Sequence, residues 1–226
     1  MDNGLSSPAY PAGDRSGTSL LPTQLECILS SMRRLDGYRL RDGELWQHST
    51  ATARIAHGLA QALSFPSPAE AYAAGLLHDM GKPLLDPFVH ADYNQIIEAM
   101  WKRKLHLWQV EEQLYGIDHA GIGGLMASHW ELPETLVDAI RYHHTPGLAT
   151  HQPELAALVN IANTSFTPRD SLGLSSLSGR MYHPEALRLL GLDAPALERL
   201  RSTMVEAFTG STGKPVYISE YNDVTL

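Results

Sequence analysis

The chain has 226 residues and a formal net charge of −8. This length suffices for one sizeable hydrophobic core and is too short for two ordinary domains. The acidic balance argues against nucleic acid or an anionic membrane surface as a partner, because both require a basic face. Cys27 is the only cysteine and no apolar run approaches the length of a membrane span, so we expect a cytoplasmic protein without disulfides.

Residues 1–20 form an N-terminal arm that we expect to be disordered. They are rich in Gly, Ser and Pro and show no apolar period, so they bury too little surface to offset the entropy of ordering. Pro22 then opens a predicted helix whose apolar stripe reaches Leu35 and which ends near Gly37. We expect this helix to pack on the core.

A longer predicted helix begins at Asp42 or Gly43 and runs through Leu63. The residues expected on its buried side are Leu45, Trp46, Ser49, Ala53, Ala56 and Ala60. His48 lies near the beginning of that buried side. His57 follows nine residues later, about half a turn around the helix, so it cannot serve the same site and is expected at the surface.

The stretch PAEAYAAGLLHDMGK, residues 68–82, predicts the helix around which we expect the chain to be organised. Ser67 precedes it as a capping residue, and Glu70 completes a capping box. Gly81 is predicted to end the helix in a left-handed conformation, with Pro83 preventing its continuation.

His78 and Asp79 therefore fall in the last turn of this central helix. The unpaired carbonyl groups of a last turn carry the partial negative charge of the helix dipole, which favours a bound cation. The pair is one half of a candidate metal site. The alternative is a buried histidine hydrogen-bonded to a backbone carbonyl, beside a solvent-facing aspartate.

The segment after the central helix reads PLLDPFVHAD, residues 83–92, and its two prolines predict a loop. Helical spacing resumes from Tyr93 to Trp101. The basic patch KRK follows at 102–104, and one short cluster of this kind is more typical of a solvated helix face than of a nucleic-acid footprint. A further helix is predicted to end at Gly116.

Asp118 is predicted to cap a helix that reads HAGIGGLMASHW and carries His119 in its first turn. Glycine is unfavourable inside a helix unless a neighbouring backbone must come close. Gly123 and Gly124 therefore predict close packing of this helix against another one.

Pro133 begins the next predicted helix, which ends with His143 and His144 before Thr145. Adjacent helical residues diverge by about 100°, so both histidines can face one site only if the helix frays at its end.

A helix from Pro153 to about Ser165 follows, with Asn160 and Asn163 beside its apolar stripe. After a Ser/Gly-rich loop, HPEALRLLGL and DAPALERLRSTMVEAF predict two more amphipathic helices, and residues 210–226 form a C-terminal tail. The sequence shows no internal repeat, no alternating strand series and no glycine-rich phosphate loop. The predicted fold class is all-α.

The side chains suited to metal binding lie at helix ends or on apolar faces of different predicted helices. Amphipathic helices bury their apolar stripes against one another, so polar residues that border the stripes converge in the interior. A bound metal would satisfy all of them together. These candidate metal ligands are His48, His78, Asp79, His119, His143, His144 and Asn163.

This ordered set, centred on HDxGK, resembles the HD superfamily of metal-dependent phosphohydrolases. The phrases WQHS, GLLHDMGK, GIDHAGIG, SHWELPETLVDAIRYHHTP and LVNIAN are similar to the HDOD branch, a family of bacterial signalling domains, over residues 38–166. The resemblance implies an HD-domain-like helical bundle, which we expect to occupy residues 21–209. The HD-GYP branch, which hydrolyses cyclic di-GMP, carries a comparable order of histidines, His-Asp pair and lysine.

The sequence also departs from these patterns. The GYP phrase is absent, Thr145 stands where the HD-GYP branch has an acid, and Asn163 stands where the general HD pattern has its final aspartate. An amide offers a neutral oxygen in place of a carboxylate, so metal affinity should fall. For His119, His143 and His144 the alternative is that they are core histidines, or histidines that only contact the metal ligands, left over from an ancestral two-metal site.

The resemblance implies a metal-dependent phosphohydrolase acting on a nucleotide or cyclic nucleotide, with Asp79 and Lys82 in catalytic roles. Histidine and carboxylate ligands fit Fe, Mn, Ni or Zn. Lys82 would hold a substrate phosphate, or it is an ordinary solvated loop lysine. The second hypothesis is a catalytically silent signalling module that binds a ligand or a partner protein, and the third is a hydrogen-bonded core network without metal.

Overall fold

The computed structural model describes residues 34–165 and 182–209. Within these ranges the chain is helical and its only β pairing is a single bridge between Leu35 and Leu40, so the all-α prediction is confirmed. The helices are α1 Glu44–Ala62, α2 Pro68–Leu77, α3 Lys82–Arg103, α4 Leu107–Tyr115, α5 His119–His129, α6 Glu134–Arg141, α7 Pro153–Ser165, α8 Pro184–Leu189 and α9 Ala194–Thr209, with a 3₁₀ turn at Pro146–Leu148.

Several predicted segments lie outside the described residues: the arm at 1–20, most of the helix that Pro22 opens, the Ser/Gly-rich loop and the tail at 210–226. The domain boundaries at 21 and 209 therefore stay a prediction. No helix in the described part of the chain combines the length and apolar character needed to cross a bilayer.

Helices α1 and α2 pack with their backbones close together. The Ser67 side chain accepts a hydrogen bond from the Glu70 backbone N–H, so the predicted cap is present. A Cβ on Gly75 would lie only 2.8 Å from the Cα of Ala53, so this contact requires a residue without a side chain. The contact brings His48 of α1 beside the end of α2.

The core has two parts that meet at the end of α2. One part is formed mainly by α1, α2 and α7 and includes Ile55, Leu59 and Leu158. The other is formed mainly by α3, α5 and α6 and includes Met80 and Ile140. The polar residues that follow α2 therefore lie between two hydrophobic clusters.

The prediction of a loop at residues 83–92 is wrong, because this segment forms the first half of α3. Pro83 lies in the first turn, where a missing N–H leaves no partner unsatisfied. Pro87 lies inside the helix and removes one hydrogen bond. The helix continues because Leu85 and Val89 anchor it in the core on either side of Pro87.

The predicted end of the central helix also needs correction. Helix α2 ends at Leu77, and His78 and Asp79 lie in the turn that joins α2 to α3. Gly81 has φ −79, so it is not a left-handed cap. A Cβ there would overlap the carbonyl oxygen of His119, so the glycine allows α5 to approach this turn.

The close packing predicted from the glycines of α5 is confirmed. A Cβ on Gly123 would lie 2.9 Å from Cγ2 of Ile140, and one on Gly124 would lie 2.7 Å from Cβ of Arg141. On α1 the predicted buried side is correct except for Trp46, which is 38% exposed. His57 is partly buried against the ring edge of Tyr72.

Candidate metal centre

His78 and Asp79 are both buried in the turn between α2 and α3. The His78 Nδ1 atom lies 2.8 Å from the carbonyl oxygen of Gly75, so Nδ1 donates a hydrogen bond to this carbonyl group. The Nε2 atom of His78 therefore faces the Asp79 carboxylate, whose Oδ2 lies 3.3 Å away. The alternative of a solvent-facing aspartate is wrong.

A first cluster consists of His48, His78 and Asp79, whose ligand atoms all lie within 4.8 Å of one another. His48 comes from α1, and its Nε2 lies 3.2 Å from Nε2 of His78 and 3.4 Å from Oδ2 of Asp79. The side chain of Asn163, from α7, lies close enough to His48 to act on the pKa of that imidazole. Asn163 thus lies beside this cluster. Its role as a metal ligand stays a prediction.

A second cluster consists of His119, His143 and His144, again with ligand atoms within 4.8 Å of one another. The Oδ1 atom of Asp79 lies 3.3 Å from Nε2 of His119 and 4.0 Å from Nε2 of His143. The Nε2 atoms of His119 and His144 are 2.9 Å apart. Asp79 therefore presents one carboxylate oxygen to each cluster.

Both histidines of the adjacent pair reach the second cluster because α6 ends before them. The helix stops at Arg141, and His143 and His144 lie in the turn that follows, so the predicted helical end with two histidines is too long by one turn. The buried Asn160 donates to the His143 carbonyl oxygen at 2.7 Å, and His143 Nδ1 lies 2.8 Å from the carbonyl oxygen of Ile140. These contacts orient His143 Nε2 toward Asp79.

Lys82 is not a free loop lysine. It begins α3, and its Nζ lies 2.6 Å from Oδ2 of Asp79 in an ion pair. The lysine side chain is 16% exposed whereas the Asp79 side chain is 1% exposed. Its ammonium group therefore lies at the boundary between the buried clusters and solvent.

The sequence reasoning missed Glu111, which is completely buried on α4. Its Oε2 lies 2.5 Å from Nδ1 of His119 and accepts a hydrogen bond from the His119 backbone N–H at 3.0 Å. Its Oε1 accepts a hydrogen bond of 2.8 Å from the Tyr38 hydroxyl. The sequence feature that could have indicated a role for Glu111 is its position beside Val110, on the buried face of an amphipathic helix.

The reasoning also missed Trp108, whose ring stacks on that of His144 with centroids 5.5 Å apart and planes 10° apart. Trp108 is half-buried, so it covers one side of the second cluster. The remaining histidines of the described chain, such as His151, which contacts Asp138, lie outside both clusters.

Burial and neighbouring charges set the protonation of these groups. Burial lowers the pKa of His48 to about 3, so His48 is neutral. Burial opposes the charge of Asp79, but the nearby His78 and Lys82 hold the pKa of that carboxyl well below its usual range. Burial likewise opposes a charge on His119, but Glu111 raises the pKa of His119 to about 9.

The donor atoms fit a transition-metal cation. Imidazole nitrogens with carboxylate oxygens are ligands for Zn, Fe, Ni and Mn. The Nε2 atom of His143 is buried and has no hydrogen-bond partner in the described part of the chain, which is costly unless a ligand completes it. The Nδ1 atom of His119 contacts a carboxylate, and the Nδ1 atoms of His78 and His143 contact backbone carbonyl groups. Metal-binding histidines typically make such contacts with the ring nitrogen that does not bind the metal.

The metal-free protein is expected to lose stability as the pH falls below about 6.5. Burial keeps the pKa of His48 at about 3 and those of His143 and His144 well below the ordinary value, so only the unfolded chain takes up these protons. Stability that is present above pH 6.5 is then lost progressively toward lower pH. His119 acts oppositely: its contribution is complete below pH 6.5 and is lost as the pH rises through about 9.

Urea unfolding of EDTA-treated protein at about pH 5, 7 and 9 measures this dependence. We expect the highest midpoint near pH 7 and the larger loss on the acid side, because three histidines act there against one on the alkaline side. Equal midpoints at pH 5 and pH 7 would contradict the burial of neutral imidazoles.

Comparison with known proteins adds a family and several relatives. The sequence profile of the HDOD domain matches residues 24–146, which is more than half of the chain. An uncharacterized protein of Treponema pallidum (strain Nichols) is 29% identical over 146 residues, 60% of this chain and 28% of that protein. Ribonuclease Y of Thermus thermophilus is 29% identical over 152 residues, 67% of this chain and 21% of that protein.

Two solved structures share the fold. An HDOD domain protein of unknown function from Geobacter sulfurreducens is 25% identical with a TM-score of 0.52, over 80% of this chain and 66% of that one. A candidate signal transduction protein from Marinobacter aquaeolei VT8 has a TM-score of 0.58 at 22% identity, over 75% of this chain and 38% of that one. The chain spans about a quarter of the length of the curated relatives that it matches.

Proposed function

This chain belongs to the HDOD domain family, and on that premise we propose that it is a metal-dependent phosphohydrolase acting on a nucleotide or cyclic nucleotide in a signalling role. The observation that carries the proposal is the position of Asp79 between two buried histidine clusters, with one carboxylate oxygen facing each. The similarity to a ribonuclease, a class of enzyme that acts on phosphodiesters, supports the choice of substrate class.

In this proposal His48, His78 and Asp79 would hold one cation, and His119, His143 and His144, together with Asp79, would hold a second. Asn163 borders the first cation through its contact with His48. The cation is Fe, Mn, Ni or Zn. When bound, it supplies positive charge against the phosphate oxygens and makes a water molecule a stronger nucleophile at neutral pH.

The residues of the chain supply orientation and a dry environment. His78 and His143 are fixed by backbone carbonyl groups, so their Nε2 lone pairs point into the centre before any ligand arrives. Lys82 places a positive charge at the exposed edge, where a phosphate group would enter, and burial strengthens its attraction for an anion. Asp79 and Lys82 are thus the proposed catalytic residues.

One observation favours the alternative of a catalytically silent module that binds a ligand or partner protein. The ammonium group of Lys82 lies 2.6 Å from the same carboxylate oxygen of Asp79 that faces His48 and His78. The lysine thereby pairs with Oδ2 of the carboxylate without a metal ion. A neutral Asn163, where the general HD pattern has its final aspartate, weakens the metal site in the same direction.

A turnover assay separates the two functions. Protein stripped with EDTA and reloaded with Mn²⁺ or Fe²⁺ is screened against cyclic dinucleotides and bis(p-nitrophenyl) phosphate. We expect hydrolysis that requires the metal, disappears on chelation and falls at least about 100-fold in Asp79→Ala. Lys82→Met should lower kcat/KM about 10-fold, because it removes charge stabilisation at the phosphate.

Lys104→Met is the matched control, since Lys104 lies at the far end of α3 against Trp101. It should retain full activity. Ligand binding without hydrolysis at any metal loading would select the silent module. Hydrolysis that persists in both EDTA and Asp79→Ala would refute the metal mechanism.

A further inference from the structure

The segment Leu35–Leu40, which precedes α1, is fixed onto α3. Its two ends pair through backbone hydrogen bonds of 3.1 and 2.9 Å between Leu35 and Leu40. The carboxylate of Asp86, on α3, accepts hydrogen bonds from the backbone N–H groups of Gly37 and Tyr38 at 2.9 and 3.2 Å. A Cβ on Gly37 would collide with the backbone of α3, so the segment lies in direct contact with that helix.

This docking buries Tyr38 between two charged groups of the metal centre. The Tyr38 hydroxyl donates to Oε1 of Glu111 at 2.8 Å, and the other oxygen of Glu111 contacts His119. The Tyr38 ring lies 5.8 Å from Nζ of Lys82, within the range of a cation–π contact. Lys82 in turn pairs with Asp79. Tyr38 thus contacts Glu111, which binds His119 of the second cluster, and Lys82, which pairs with Asp79 of the first cluster.

We propose that Tyr38 is a positioning residue of the metal centre, through which docking of the segment Leu35–Leu40 on α3 controls the orientation of His119 and the affinity for metal. The inference rests on the metal centre of the proposed function but not on hydrolysis. It gives the part of the chain before α1 a direct physical connection to the site.

The hydroxyl group is required because Glu111 is completely buried. Its Oε2 is occupied by the two His119 N–H groups, and its Oε1 accepts the hydrogen bond from the Tyr38 hydroxyl. Without that donor the Glu111 carboxylate loses a charge-assisted hydrogen bond, and this bond is one of the contacts that fix the orientation of the carboxylate. The imidazole of His119 then loses its fixed acceptor. Outer contacts of this kind commonly change metal affinity by about 10–100-fold.

Tyr38→Phe tests the hydroxyl while it keeps the ring over Lys82. Two measurements are made: Mn²⁺ affinity by calorimetric titration, and the proton NMR signal of the His119 Nδ1–H group in metal-free protein. We expect Mn²⁺ affinity to fall about 3–10-fold, and the downfield Nδ1–H signal to shift or broaden. In a Glu111→Gln background, Tyr38→Phe should change Mn²⁺ affinity by less than about 2-fold, because its partner is already altered.

Tyr115→Phe is the matched control, because the Tyr115 hydroxyl also donates to a carboxylate, that of Asp92 on α3, which belongs to neither histidine cluster. It should leave both measurements unchanged. Asp86→Ala, which undocks the segment, should reproduce the Tyr38→Phe result even if Tyr38→Phe folds poorly.

An unchanged His119 Nδ1–H signal in Tyr38→Phe overturns the inference whether or not metal binds. The inference also fails if the loss of Mn²⁺ affinity caused by Tyr38→Phe adds fully to the loss caused by Glu111→Gln. If the wild-type protein takes up no Mn²⁺ but the His119 Nδ1–H signal shifts in Tyr38→Phe, the proposed metal function is refuted and the positioning of His119 by Tyr38 stands.

Discussion

Asp79→Asn is expected to abolish stoichiometric metal binding at both histidine clusters. The carboxylate faces His48 and His78 with Oδ2 and His119 and His143 with Oδ1, so it is the one anionic ligand that both clusters share. Asparagine keeps the shape of the side chain, but its amide offers one neutral oxygen and an NH₂ group that cannot ligate. The loss is therefore one of charge and donor atoms and not of packing.

The same substitution should destabilise the metal-free protein by about 1–3 kcal/mol. It leaves Lys82 without its ion-pair partner and removes the charge beside His119. Elemental analysis of the purified variant, with urea unfolding of the EDTA-treated form, measures both effects. Asp138→Asn serves as the control, because Asp138 is another buried carboxylate that holds Thr150 and His151 outside the metal centre. Asp138→Asn should lose stability and keep its metal. Equal metal content in Asp79→Asn and wild type would refute a site in which both clusters share the Asp79 carboxylate.

Gly81→Ala is expected to lower the free energy of unfolding by about 3 kcal/mol, at the upper end for over-packing. Gly81 has φ −79, which alanine adopts without strain, so the effect is steric. The added Cβ would overlap the His119 carbonyl oxygen and would lie 2.8 Å from the Gly123 backbone nitrogen. Both are backbone atoms that cannot rotate away. Relief requires α5 to move, and this would carry His119 away from Asp79.

Urea unfolding and Mn²⁺ titration of Gly81→Ala therefore should both show a loss. Gly191→Ala is the comparison: it has φ +62 and open space around it, so it should cost about 1 kcal/mol through the backbone alone and leave Mn²⁺ affinity unchanged. If Gly81→Ala were as stable as wild type, the close approach of α5 to the His-Asp turn would be disproved.

Local sequence patterns were sufficient for most helices and for naming the histidines and Asp79 of the two clusters. The Ser67 cap, the Asp118 cap and the helix that ends at Gly116 all depend on residues within one or two turns, so they can be recognised without knowledge of the fold. The order of the histidines and of Asp79 predicted that these side chains converge in the interior, because helices that bury their apolar stripes bring the flanking polar residues together. The division into two clusters was not predicted from the sequence.

Only the tertiary structure decided how these residues meet. The prolines of α3 predicted a loop because their local cost is visible in the sequence, whereas the burial of Leu85 and Val89 that outweighs it depends on other helices. Periodicity shows which face of α4 is buried but not what that face contacts, so the role of Glu111 was hidden. Its bond to Tyr38 joins residues 73 positions apart. A buried charge is stabilised by partners from other elements, and those partners are determined by packing.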